Sequence, residues 1–145
     1  MELYMEDLAP GMVFGSGTYT VDAAQIIAFA KEYDPQPFHT DEEGSKKSFF
    51  GGLAASGWHT AAISMKLLVA SVPIAGGVIG GAGEIVWPKP TRPGDTLQVT
   101  SEVMEVTPSR SKPGRGMAVI RSETRNQHGD VVQIFTSKVL VQARG

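Results

Sequence analysis

Two proton-transferring side chains stand close together in the segment DPQPFH, where Asp34 and His39 are five residues apart. Pro35 and Pro37 between them limit φ, so little conformational freedom is lost in holding the flanking side chains still. A carboxylate and an imidazole held this way are the groups that general acid–base chemistry needs. A structural reading is also open: Asp34 as a turn former and His39 as the cap of a following helix. The residues alone leave both standing. His39, Asp41, Glu42 and Glu43 in HTDEE do not have the spacing of a metal site, and no metal is expected. With no cysteine in the chain, thiolate catalysis, disulfides and cysteine-bound zinc are excluded.

A second group is Ser56, Gly57, Trp58 and His59. No GxSxG elbow follows a strand, so Ser56 reads as a helix cap rather than a nucleophile. Gly57 then opens a helix whose first amide hydrogens lack partners and whose dipole is positive at that end. That is a place for an oxyanion; equally, glycine there can simply permit close packing. A third group is the loop SRSKPGR, where Arg110 and Lys112 could pair with phosphate. GGVIGGAG has the glycines of a phosphate loop but no lysine, and no helix follows it. Its glycines are expected to relieve crowding where a strand crosses a helix.

These groups need elements to hold them. MVFGSGTYT, residues 12–20, reads as a strand, and residues 22–33 as a helix with Ile26, Ile27, Phe29 and Ala30 on one face. The prolines end that helix. A second short helix is expected from Thr40 to Lys47, with Glu43 as capping-box partner. From Gly57 to about Ser71 runs a long helix, apolar around most of its surface and so expected to be buried on several sides, Trp58 included. Four strand-like segments follow, GGVIGGAGEIVW, DTLQVTSEVMEV, GMAVIRSETRNQ and DVVQIFTSKVLVQ, with His128-Gly129-Asp130 as a hairpin turn. The order predicts an α+β fold, a single domain over residues 1–145 with an antiparallel sheet wrapped on a central helix.

The 145 residues are enough for one full core. A net charge of −2 argues against a general nucleic-acid binder. The acidic start MELYMEDLAPG is unlike a signal peptide, and the most apolar run is broken by Lys66, Pro73 and glycines. A cytoplasmic protein without a membrane span is expected.

FAKEYDPQPFH followed by FFGGLAASGWHTAAISMKLL resembles the MaoC-like dehydratases, the (R)-specific enoyl-CoA hydratase family. The family's motif, D-x-N-P-aliphatic-H, falls on Asp34 to His39, its helix-opening glycine on Gly57, and its turn on Pro93-Gly94-Asp95. The resemblance implies a hot-dog fold, a curved sheet around a long helix, and hydration of a trans-2-enoyl-CoA without a cofactor other than the CoA of the substrate. It implies Asp34 and His39 as the water-handling pair and Gly57 as the amide that receives the thioester oxygen. Gln36 and Phe38 depart from the family's asparagine and smaller aliphatic residue, so they bear on substrate range. Ser56, Trp58 and His59 would flank the acyl group or a subunit junction, Arg110 and Lys112 would hold CoA phosphates, and a homodimer is the expected minimum. The rivals are an acyl-CoA thioesterase, disfavoured because residues 57–71 hold no acid, and a non-catalytic acyl-thioester binding domain.

Overall fold

The computed structural model describes residues 1–145. Its frame is one antiparallel sheet made from the valine-, isoleucine- and threonine-rich segments. β1 (Val13–Thr20) and β2 (Ile79–Val86) are the edges, with β3 (Thr96–Pro108), β4 (Arg115–Arg125) and β5 (Val131–Gln142) inside, in the order β1-β3-β4-β5-β2. Burial alternates along β3 and β4, so one sheet face meets the core and the other meets water. The β4–β5 turn forms as expected. Gly129 has φ of 81°, and Asn126 Oδ1 accepts hydrogen bonds from the amides of His128 and Asp130.

α1 (Ala23–Tyr33) opens at Asp22, whose carboxylate accepts from the Gln25 amide while the Gln25 side chain accepts from the Asp22 amide. It stops before Pro35, as the prolines require. The expected helix from Thr40 to Lys47 is instead two single turns, α2 (Pro37–Thr40) and α3 (Glu42–Ser45). Proline suits the first position of a helix, because its φ is already helical and it has no amide hydrogen to leave unpaired. Pro37 therefore starts a turn three residues early and puts Thr40 at its end. Asp41 takes over as cap, its Oδ1 accepting from the Glu43 amide.

α4 (Gly57–Ser71) matches its expected bounds and is capped by Ser56. It lies along the inner face of the sheet. Toward its start, Ile63 and Leu67 pack with Leu97, Val99 and Val132; toward its end, Leu68 packs with Val103, Ile120 and Val139. Buried hydroxyls in this layer are paired: Thr60 with Thr91 at 2.9 Å, Ser64 with Thr124 at 2.6 Å, and Ser101 with Ser122 at 2.8 Å, as burial demands.

Two expectations about this helix fail. It is buried on one face only, and Trp58, Met65 and Val69 on the other face are exposed, Trp58 by 60%. Nor do the glycines of β2 relieve crowding against it. β2 is an edge strand, exposed along nearly its whole length, and a cavity of about 450 Å³ separates it from α4. Gly83 instead sits beneath Phe135, where a Cβ would stand 2.6 Å from the ring. No helix is long and apolar enough to cross a membrane.

Candidate active site

The site is built where α1 ends, α2 turns and α4 begins. The Asp34 amide donates to the Ala30 carbonyl and closes α1, and the Gln36 amide donates back to the Asp34 carbonyl. This tight bend turns the carboxylate of Asp34 toward the start of α4. There the Ser56 hydroxyl donates to Asp34 Oδ2 at 2.8 Å, and the same hydroxyl accepts from the Trp58 amide at 3.2 Å. One side chain thus caps the helix and grips the acid. On the other side, Gln36 Nε2 donates to Asp34 Oδ1 at 2.5 Å. The long amide of Gln36 thus reaches the carboxylate from two residues away.

α2 carries His39 to the opposite side of that carboxylate. His39 Nε2 lies 3.4 Å from Asp34 Oδ2, with side-chain exposures of 6% and 18%. His39 Nδ1 lies 2.6 Å from the Ala54 carbonyl. A carbonyl can only accept, so Nδ1 carries the hydrogen and Nε2 is left facing Asp34. The Ala54 amide donates in turn to the Phe38 carbonyl, which pins the turn to the segment before α4. Phe38 stands edge-on to the imidazole, with centroids 4.6 Å apart.

Burial is the largest influence on the Asp34 carboxyl and would raise its pKa. Hydrogen bonds from Gln36 and Ser56, together with the charge His39 can carry, outweigh it and set the pKa below the ordinary 3.8. Asp34 is a carboxylate at neutral pH, able to accept a proton or steady a cation beside it.

His39, Gly57, Thr60, Trp87 and Thr91 line a cavity of about 440 Å³ next to this pair. Gly57 opens α4 with no carbonyl behind it to take its amide hydrogen. The structure also supplies a packing reason for glycine, since a Cβ there would stand 2.8 Å from three ring atoms of Trp87. No three His, Asp or Glu side chains converge where a metal could be held.

Of the residues singled out in the sequence, Asp34, Gln36, Phe38, His39, Ser56 and Gly57 come together here. Trp58 is not core; it stands edge-on to Trp87, with centroids 5.3 Å apart, beside the cavity under β2. His59 lies on the other side of α4, stacked on Phe29 at 4.5 Å, and lines neither cavity. Burial depresses its pKa. Arg110 and Lys112 are not brought to the site. Their loop follows the far end of β3, a strand of 13 residues and roughly 40 Å. The site lies at the near end, where the Ala55 amide donates to the Thr91 carbonyl.

Sequence reasoning missed Trp87, Lys89 and Arg92. Arg92 donates to the carbonyls of Phe50, Gly52 and Leu53 and braces the loop beneath the cavity. Its place before the Pro-Gly-Asp turn was the one available signal. Trp87 stood only as the last residue of a strand-like segment, and Lys89 opens the stretch KPTRPGD that holds the same turn, but neither position pointed to a site.

Comparison with known proteins gives a consistent result. The model of the MaoC like domain matches residues 7–126. An uncharacterized protein of Bacillus subtilis, YdeM, is 32% identical over 139 residues, 94% of this chain and 96% of that one. The crystal structure of a MaoC-like dehydratase from Rhodospirillum rubrum superposes with a TM-score of 0.96 at 56% identity, covering 99% of both chains. That of R-hydratase PhaJ1 from Pseudomonas aeruginosa superposes at 0.78 with 22% identity, covering 99% of this chain and 88% of that one, a likeness of fold.

Proposed function

The chain belongs to the MaoC-like domain family and has its hot-dog fold, and on that premise we propose that it is a hydro-lyase, adding water reversibly to a trans-2-enoyl-CoA to give the 3-hydroxyacyl-CoA. The observation that carries this is the Asp34–His39 pair, with an ionised acid 3.4 Å from an imidazole nitrogen whose tautomer is fixed from behind by Ala54.

In the reaction, a water donates one hydrogen to the Asp34 carboxylate and the other to His39 Nε2. As its oxygen bonds to the β-carbon, His39 takes that proton, and the electron pair of the double bond moves through the α-carbon onto the thioester oxygen. The amide of Gly57, at the positive end of α4, receives the enolate charge. Asp34 steadies the imidazolium, which then returns its proton to the α-carbon. The hydrogen facing Asp34 stays on the new hydroxyl, and dehydration is the reverse. Acid–base help of this kind is worth about 10²–10⁴-fold.

Since Arg110 and Lys112 lie at the far end of the sheet, CoA phosphates are better met by Lys89, which lines the His39 cavity and pairs only with Asp130, at 3.2 Å on the surface. A homodimer is part of the proposal. It is supported by the exposed apolar face of α4 beside the unpaired edge of β2, a combination that a second copy would cover.

Crotonyl-CoA tests the reaction. Loss of enoyl absorbance without release of free CoA is expected, and Asp34→Asn or His39→Ala should each lower turnover at least about 10²-fold with the fold intact by circular dichroism. Release of free CoA instead would make the protein a thioesterase. Tight binding with neither product would make it a binding domain.

A further inference from the structure

One side chain lines one of the two cavities beside α4's first turns and contacts the lining of the other. Trp87 follows the last residue of β2 and lines the His39 cavity. Its indole Nε1 donates to Gln133 Oε1 at 3.0 Å, and its ring meets Trp58 edge-on. Gln133 and Trp58 both line the other cavity, the apolar one between α4 and β2, together with Met65, Leu68 and Phe135. The flat of the indole rests on Gly57, in space that any larger residue there would take. So Trp87 touches the proposed oxyanion donor on one side and two residues of the apolar cavity's lining, Trp58 and Gln133, on the other.

The geometry points to Trp87 as the residue that limits acyl-chain length: a wall, latched by Gln133, that keeps the acyl group in the His39 cavity and out of the apolar one. This rests on the reading of the protein as acting on acyl-CoA thioesters. A thioester whose carbonyl sits at the Gly57 amide must lay its acyl chain against this indole. Short chains fit in front of it. Long chains need the apolar cavity behind, which is walled mostly by methyl groups, glycine backbone and the rings of Trp58 and Phe135 and suits a hydrocarbon. The substrate class that follows is short-chain enoyl thioesters. The indole is latched by a single hydrogen bond at the end of an edge strand and is 37% exposed, so removing it opens the passage without emptying the core.

The test compares wild type with Trp87→Ala, and with Trp87→Leu in case alanine does not fold. Two quantities are measured with each: kcat/KM for crotonyl-CoA against dodecenoyl-CoA, and the affinities of the unreactive butyryl-CoA and dodecanoyl-CoA by calorimetry. Wild type should favour the short member of each pair, and the alanine variant should shift both ratios toward the long member by about tenfold or more. Unshifted ratios in a folded variant overturn the wall, whether or not crotonyl-CoA is hydrated. A shift in affinity with no hydration by either protein upholds the wall and overturns the hydratase reading. If no thioester binds at all, both fall.

Discussion

At the scale of single residues, Asp34 is held by two neighbours that could each be removed, and Gln36 is the informative one. Its amide is the hydrogen bond to Oδ1 and helps bring the carboxyl below 3.8. Gln36→Leu should therefore raise the pH at which the Asp34 carboxyl carbon titrates by NMR, toward the ordinary value. If it titrates where wild type does, the amide has no electrostatic role. The sign for stability follows. Folded Asp34 titrates below its unfolded value, so its ionisation favours the fold above about pH 3.8 and loses that effect as pH falls through the lower folded value. Gln36→Leu should accordingly unfold at a higher pH on acid titration. The aspartate, the histidine and their spacing were legible in the sequence. The direction from which Gln36 approaches was not, because it depends on the bend made by the Gln36 amide and the Asp34 carbonyl.

At the scale of elements, α4 was read to within a residue at both ends, because a serine cap and an apolar run are local signals. Which of its faces meets the sheet was not legible. His59, Thr60 and Ser64 are buried while Trp58, Met65 and Val69 are exposed. Hydropathy ranks these the other way, and only the partners Phe29, Thr91 and Thr124 explain the choice. The single turns α2 and α3 are too short for any periodicity to show. Ser56 joins two elements, and its removal has two separable effects. Ser56→Ala should lose about 1 kcal/mol of stability in a urea melt, the usual cost of an N-cap, and should also lower kcat through the freed Asp34. Lowered kcat with unchanged stability would mean that the hydroxyl serves the acid and not the helix.

For the whole molecule, the strand order and the unpaired edge of β2 leave one broad apolar surface. Light scattering should find a dimer, and Val69→Lys, which puts a charge on the exposed face of α4, should shift it toward monomer at micromolar concentration. A monomer in wild type would remove the dimer from the proposal. The antiparallel sheet around a helix was legible in the order of segments. The two cavities were not, since each is bounded by residues distant in sequence, such as Trp58, Ile85 and Gln133.

The hydroxyl pairs beneath α4 bear on more than solubility of the core. An apolar helix on an apolar sheet can slide, since one methyl contact is nearly as good as the next. Thr60 against Thr91 and Ser64 against Thr124 act as detents. A shift by one turn would bury hydroxyls without partners, at about 1–3 kcal/mol each. They index the helix to the sheet and to the loop before β3, and so fix where its first amide stands relative to the acid and the imidazole, to a tolerance that oily contacts alone would not hold.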